Sequence, residues 1–376
     1  MVLKERFLNF LVKSFYNSRF KFDYTFDNFD PKRTDPYILI GNHVGQSDGL
    51  YTAVPLKKYP YPVINVFMYT SPFMRFVLKR LIYSIPKRKG QSDISTIKNM
   101  MDVIKNKKRG VMLFPEGNSS YFGKESPIPF STAKFLKKMK LDVVTVHVNG
   151  GYLAAPRWTK NYIKGGLFEV CYKTLYTASE LEAATIEEVD NAIVEALKFN
   201  DFDWNRVHKH KYVSKNRAEG LERYIYACPH CDHVQCLSTK GSVVYCTHCG
   251  EIAHFNDYSL IEGVPFDNLV DWAAYQKTRI PYVADKPISS EGELHLVNMD
   301  TLKNTDLGQA KVELKDRIWS FKSNKTELHI PIDEIVNLVL IRNYDLAFDY
   351  LDKTYYIRIK DPMLLLDVIH YLRKEA

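Results

Sequence analysis

Two short segments constrain what this chain can become. The first is Ile40-Gly41-Asn42-His43-Val44-Gly45-Gln46-Ser47-Asp48, and the second is Val111-Met112-Leu113-Phe114-Pro115-Glu116-Gly117-Asn118-Ser119-Ser120. Each is an apolar run that stops abruptly in small and polar residues. The first ends in a histidine and an aspartate, which can act as a base and its orienter. The second ends in a glutamate inside a tight Pro/Gly turn. Catalytic groups often occupy loops at the ends of parallel strands.

The surrounding pattern fits that placement. Strands are expected at 37–40, 63–68, 111–114, 143–148 and 168–173, with helices at 72–83, 94–107 and 132–140 between them. Such alternation predicts an α/β domain with a largely parallel sheet flanked by helices. Residues 180–199 read as a closing helix with Glu187 and Glu188 exposed, and the polar, basic stretch 204–220 reads as a linker. Ahead of the domain, Val2, Leu3, Phe7, Leu8, Phe10, Leu11, Phe15 and Tyr16 recur at roughly helical spacing, with Lys4, Arg6, Lys13 and Arg19 between them. A helix of this kind either lies in a bilayer interface or packs its apolar stripe on a core.

Beyond residue 260 the texture changes to short strands at 293–297, 310–314, 318–322, 327–330, 335–340, 346–350 and 355–359, followed by a helix at 363–374. These predict a small α+β domain. On topology alone it resembles a pleckstrin-homology-like barrel, and a generic small α+β domain fits the same pattern. Four regions are therefore expected: an amphipathic helix region over 1–34, the α/β domain over 35–220, a cysteine module over 221–260 and the α+β domain over 261–376. A length of 376 residues accommodates them.

Net charge is +8 and unevenly placed. Residues 1–220 hold 35 lysines and arginines against 21 acidic residues, and the remainder holds 17 against 23. The basic half could meet an anionic membrane surface, a phosphorylated substrate or nucleic acid, or simply carry solvated lysines on helix backs. No run of eighteen apolar residues is free of charge, so no spanning helix is expected. Charges interrupt any apolar core near the first residue, so a signal peptide is not expected either.

Four of the six cysteines form the pairs Cys228/Cys231 and Cys246/Cys249, while Cys171 and Cys236 stand alone. Cys228-Pro229-His230-Cys231 and Cys246-Thr247-His248-Cys249-Gly250 read as two knuckle-like turns separated by a hairpin-sized stretch. Four thiolates at this spacing predict a closed tetrahedral zinc ribbon in a reducing compartment, structural because no coordination position stays open. His230, His233, Cys236 and His248 are nearby alternates. The acidic half around the ribbon argues against nucleic acid.

Taken together, the two strand-end segments resemble the glycerophospholipid acyltransferase family, whose best-known members acylate lysophosphatidic acid. The family pattern is Asn-His, four free positions and Asp, then Phe-Pro-Glu-Gly downstream; here that is Asn42, His43, Asp48 and Phe114 to Gly117. The resemblance covers roughly residues 35–215, and the whole looks like a bacterial subtype with an added zinc-ribbon tail. It implies the glycerol-phosphate acyltransferase fold. It also implies that His43 is the general base and Asp48 its partner, with direct attack on a thioester. Five residues turn a helix by about 140° from alignment, so the pair must straddle a loop and a helix start. Gly45 permits the bend, and Ser47 or Asp48 is a plausible cap.

By the same resemblance Phe114, Pro115, Glu116, Gly117 and Asn118 bind the glycerol phosphate, with Glu116 bonding a substrate hydroxyl or an arginine. Arg88, beside Lys87 in Ile85-Pro86-Lys87-Arg88-Lys89, is placed to hold the acceptor phosphate, unless this is only a solvated basic turn. The fourth family block falls at 143–146, as a structural strand. The family has Thr-Arg-Ser after the glycine, where this chain has Asn118-Ser119-Ser120, and Lys124 is the cation nearest in sequence. Gly45-Gln46-Ser47-Asp48-Gly49 also matches the Gly-x-Ser-x-Gly elbow of hydrolases. Asn42-His43-Val44 intervenes between strand and glycine, so that reading is set aside.

The expectation is a cytoplasmic acyltransferase, peripheral on the inner face of the cell membrane. Its donor would be acyl-CoA or acyl-carrier protein, its acceptor a lysophospholipid, and its partner an anionic membrane surface. Phe73, Met74, Phe76 and Val77 would face lipid, and Arg75, Lys79 and Arg80 headgroups. The alternatives are a catalytically silent membrane adaptor and a zinc-ribbon nucleic-acid protein.

Overall fold

The computed structural model describes residues 3–87, 94–159, 163, 165–341 and 343–374, the side chains of residues 3–8 apart. Two compact units divide the chain: Met1–Arg157 with Asn161–Val213, and Trp158–Lys160 with Ser214–Ala376.

The first unit is built on a seven-stranded sheet. Its strands are β1 (Lys21–Asp27), β2 (Ile38–Gly41), β3 (Tyr61–Asn65), β4 (Ile85–Lys87), β5 (Val111–Leu113), β6 (Val143–Asn149) and β7 (Leu167–Tyr176), in the order β1-β7-β6-β2-β5-β3-β4. Strands β6, β2, β5, β3 and β4 run parallel; β7 turns back antiparallel to β6, and β1 lies parallel to β7. The largely parallel sheet expected from the sequence is thus present. β2 is buried along its whole length, as a central strand covered on both faces must be. Helices α1 (Leu3–Asn17), α2 (Asp48–Tyr51), α3 (Pro72–Arg80), α4 (Ile94–Lys105), α5 (Ser131–Met139), α6 (Gly151–Ala154), α7 (Ala178–Ala183), α8 (Ile186–Leu197) and α9 (Asp201–His208) surround it. Ile38, Ile40, Val103, Val111, Leu136 and Ile193 form part of one core cluster.

Three of the expected elements differ, and β1 is a strand the expectation did not include. The helix expected over 180–199 is broken in two, because each half carries its own capping box: Thr177 with Glu180 opens α7, and Thr185 with Glu188 opens α8. The strand expected over 63–68 stops at Asn65, whose side chain accepts the Phe67 N–H and starts a 3₁₀ turn at Val66–Tyr69. The stretch expected as a linker begins inside α9, where Asn200 caps Phe202 and Asp203, and it packs Tyr212 into the first unit.

Helix α1 buries only part of its apolar face. Tyr16 is buried against Phe20, Phe22 and Tyr51, while Phe10, Leu11 and Phe15 are exposed. No helix among the described residues is long and apolar enough to cross a membrane.

In the second unit β8 (Leu237–Lys240), β9 (Val243–Cys246), β10 (Gly250–Phe255) and β11 (Ile261–Glu262) form a four-stranded antiparallel sheet. Helix α10 (Leu269–Lys277) follows. Strands β12 (Ile288–Asn298), β13 (Lys303–Lys315), β14 (Ile318–Lys322), β15 (Glu327–Pro331), β16 (Val336–Ile341), β17 (Asp345–Tyr350) and β18 (Lys353–Ile359) make an antiparallel sheet in the order β15-β14-β13-β12-β18-β17-β16. Its first strand pairs with its last, and β15 and β16 are the two free edges. Trp319, Phe321 and Phe348 pack together inside it, and helix α11 (Pro362–Leu372) lies against β16 and β17.

Candidate active site

The carboxyl ends of β2 and β5 lie side by side because the two strands are hydrogen-bonded neighbours. The loops that follow therefore share one place, where His43 is fixed at every polar backbone and ring contact the structure shows. Ahead of it, Asn42 is fully buried and bonds both backbone groups of Val148 on β6: Nδ2 donates to the carbonyl and Oδ1 accepts the N–H, each at 2.8 Å. The His43 N–H donates to Glu116 Oε1 at 2.7 Å, and the His43 carbonyl accepts from Ser120 N at 2.7 Å. The imidazole stacks on Phe114 at 4.6 Å between centroids. Gly41 allows that stack, because a Cβ there would meet the Phe114 ring and Val146 at 2.9 Å.

His43 Nδ1 lies 2.9 Å from Asp48 Oδ2. Asp48 is completely buried and opens α2. Both of its oxygens accept the Gly45 N–H at 3.0 Å, and Oδ1 also accepts the Tyr51 hydroxyl at 2.5 Å. Burial, then the Asp48 charge, holds the Tyr51 phenol well above its ordinary value, so Tyr51 remains a donor. A carboxylate bonded to Nδ1 fixes the tautomer and leaves Nε2 for proton transfer. The pair does straddle a loop and a helix start. Ser47 occupies the N-cap position but makes no side-chain cap bond, so the loop is closed by Asp48 accepting from Gly45.

Phe114-Pro115-Glu116-Gly117 forms a turn closed by Gly117 N–H to Phe114 O at 3.0 Å, with Gly117 in the left-handed region at φ 74°. Gly117 is exposed and Asn118 half-buried, whereas Glu116, Ser119 and Ser120 are buried. Glu116 points both oxygens at backbone: Oε1 accepts from His43 and Oε2 from Ser126, each at 2.7 Å. The structure thus gives Glu116 a bracing part that the sequence reading, which assigned it to the substrate, did not include. Arg88 lies outside the described residues; β4, which leads to it, is the last strand at that edge of the sheet. Lys124 is exposed, and its backbone bridges to Asn200. Sequence reasoning also passed over Tyr51 and Arg157. Arg157 is buried and donates to the Ser119 carbonyl at 3.0 Å, and nothing in Ala155-Pro156-Arg157-Trp158 marks it beforehand.

Cys228, Cys231, Cys246 and Cys249 bring their sulfurs within 4.8 Å of one another and could hold a metal ion. The Cys231 and Cys246 sulfurs are 3.7 Å apart, near the roughly 3.8 Å edge of a tetrahedron with metal–sulfur bonds of about 2.3 Å. Of the alternates, His230 Nε2 pairs with the Gly263 carbonyl and His233 Nδ1 with that of Cys231, and His248 stacks on His233. Cys236 lies beside the tetrad, 3.6 Å from Cys246.

Residues 23–149 match the family model described as Acyltransferase. Over 136 residues the chain is 28% identical to a 1-acyl-sn-glycerol-3-phosphate acyltransferase of Saccharomyces cerevisiae, a match covering 33% of this chain and 42% of the yeast protein. The chain thus spans less than half the length of that relative. The crystal structure of the 1-acyl-sn-glycerophosphate (LPA) acyltransferase PlsC from Thermotoga maritima aligns at 14% identity with a TM-score of 0.38, over 51% of this chain and 78% of that one.

Glu116 yields a pH prediction. Burial pushes its carboxyl up to about 8, against the pull of the Ser126 and His43 N–H groups and with help from the charges of Asp48 and Glu125. A carboxyl that binds its proton more tightly when folded lowers stability as pH rises from the ordinary carboxylate range through that value. Glu116→Gln has no such proton. Its unfolding temperature relative to wild type should rise between pH of about 5 and about 9; a difference that stays constant with pH would contradict this.

Proposed function

We propose, from the match of residues 23–149 to the acyltransferase family model, that this chain transfers a fatty acyl group from a thioester to the hydroxyl of a lysophospholipid. The donor would be acyl-CoA or acyl-carrier protein, and the acceptor 1-acylglycerol 3-phosphate. The observation that carries this reading is the half-buried His43 bonded to the buried Asp48 at the mouth of two strand-end loops.

His43 Nε2 removes the proton from the acceptor hydroxyl as its oxygen attacks the thioester carbonyl. The imidazolium that forms is stabilised by Asp48 across the Nδ1 bond. Collapse of the tetrahedral intermediate breaks the carbon–sulfur bond, and the proton passes from Nε2 to the departing thiolate. Phe114, Pro115, Gly117 and Asn118 shape the acceptor side, with Arg88 as a phosphate ligand. Glu116 braces the base.

Lipid substrates call for a membrane surface. On α3, Phe73 and Phe76 are 73% and 58% exposed, and Lys79 and Arg80 form its exposed last turn. Together with Phe10, Leu11 and Phe15 of α1 they supply apolar anchors with adjacent cations, which suits an anionic leaflet such as the inner face of the cell membrane. The four cysteines hold a structural zinc in this reading. The seven-strand meander closed by α11 is read as pleckstrin-homology-like.

Purified wild type on anionic vesicles, given lysophosphatidic acid and either acyl donor, should yield phosphatidic acid by mass spectrometry. His43→Ala should lower the rate about a thousandfold. An unchanged rate would remove His43 as base, and silence of wild type across a lysolipid panel would favour the adaptor reading. Elemental analysis should find one zinc per chain, lost in a Cys231→Ser/Cys249→Ser variant whose second unit then unfolds at lower temperature; metal-free, fully stable protein would contradict the zinc assignment.

A further inference from the structure

Arg157 is a buried charge that the mechanism above does not use. Only 6% of it is exposed. Its Nη1 donates to the Ser119 carbonyl at 3.0 Å and lies 3.4 Å from the Ser119 hydroxyl. Its guanidinium carbon sits 4.7 Å from the centroid of the Tyr121 ring. The next residue after Ser119 donates its N–H to the His43 carbonyl. The guanidinium is therefore held at the inner end of the loop whose outer residues, Gly117 and Asn118, meet solvent, and the same loop bonds the backbone of the base.

Removing a guanidinium from water is costly. A cation already fixed beside a loop nevertheless acts on an anion over several ångströms at little reorganisation cost. The loop itself supplies no such charge, since Asn118, Ser119 and Ser120 are neutral and Lys124 is exposed further on. Arg157 comes to this loop from another element, three residues past α6.

We propose that Arg157 sharpens acceptor specificity by adding, to the charge of Arg88, a second positive charge for a phosphate monoester bound at the Gly117–Asn118 opening. This rests on the acyltransferase reading and names the charge that its acceptor must carry. A guanidinium that merely ties down Ser119 would support every acceptor equally; one that faces a phosphate favours the phosphorylated acceptor alone.

The test compares kcat and KM for 1-acylglycerol 3-phosphate and for uncharged monoacylglycerol in wild type, Arg157→Ala, Arg157→Lys and the double variant Arg157→Ala/Ser119→Arg. Wild type should prefer the phosphorylated acceptor. Arg157→Ala should raise its KM about thirtyfold with kcat little changed, and leave the uncharged acceptor as it was. The double variant should recover much of the preference. Equal losses on both acceptors, or an unaltered preference, would overturn the proposal. If Arg157→Ala fails to fold, Arg157→Lys decides: retained preference with a KM rise of about tenfold supports the charge, and lost preference overturns it. Wild-type turnover with unaltered selectivity defeats this inference alone. A wild type silent on both acceptors defeats the acyltransferase reading as well.

Discussion

The buried side chain of Glu116 is the joint on which the candidate site depends. Strands β2 and β5 run in parallel register, so their loops emerge side by side, but adjacency alone does not fix an imidazole. Glu116 crosses that gap by accepting from the His43 N–H with one oxygen and the Ser126 N–H with the other. Asn42 makes the matching fastening to β6 on the opposite side. Between these anchors His43 has a set backbone, a ring held by Asp48 and a face covered by Phe114. An imidazole held this way pays little further entropy to reach a working geometry.

The second unit solves a different problem. Its cysteine module is a sheet of short strands, with Cys228 and Cys246 buried and Cys249 exposed. A metal held by the four clustered cysteines would add a constraint to a sheet that small. The neighbouring seven-strand sheet needs no such aid, because Trp319, Phe321 and Phe348 give it an aromatic core.

Much of this was legible in the sequence for physical reasons. Strand-end loops announce themselves by an abrupt change from apolar to polar residues, which is why β2 and β5 were placed within a residue or so. Cysteine spacing located the four clustered sulfurs. Other features resisted. The alternation of Phe22, Tyr24 and Phe26 does mark β1, but it sits between a helix and a polar stretch and was passed over. The break between α7 and α8 was hidden because Thr185 reads as an ordinary helical residue unless its partner Glu188 is noticed. Arg157 could not be foreseen, since its meaning comes from a contact with Ser119 across 38 residues. Glu116 was read toward a substrate hydroxyl or an arginine, because a sequence does not say which way a carboxyl turns. Only coordinates show its oxygens turned to backbone.

The most direct measurement is the rate of acyl transfer by Asp48→Asn protein beside wild type, with acceptor KM determined for both. Asparagine keeps the shape of Asp48 but cannot stabilise the imidazolium and can hold the wrong tautomer. The account predicts a fall in kcat of about a thousandfold or more with acceptor KM nearly unchanged. A kcat close to wild type would contradict it, because His43 would then be working without the partner on which its role as base rests.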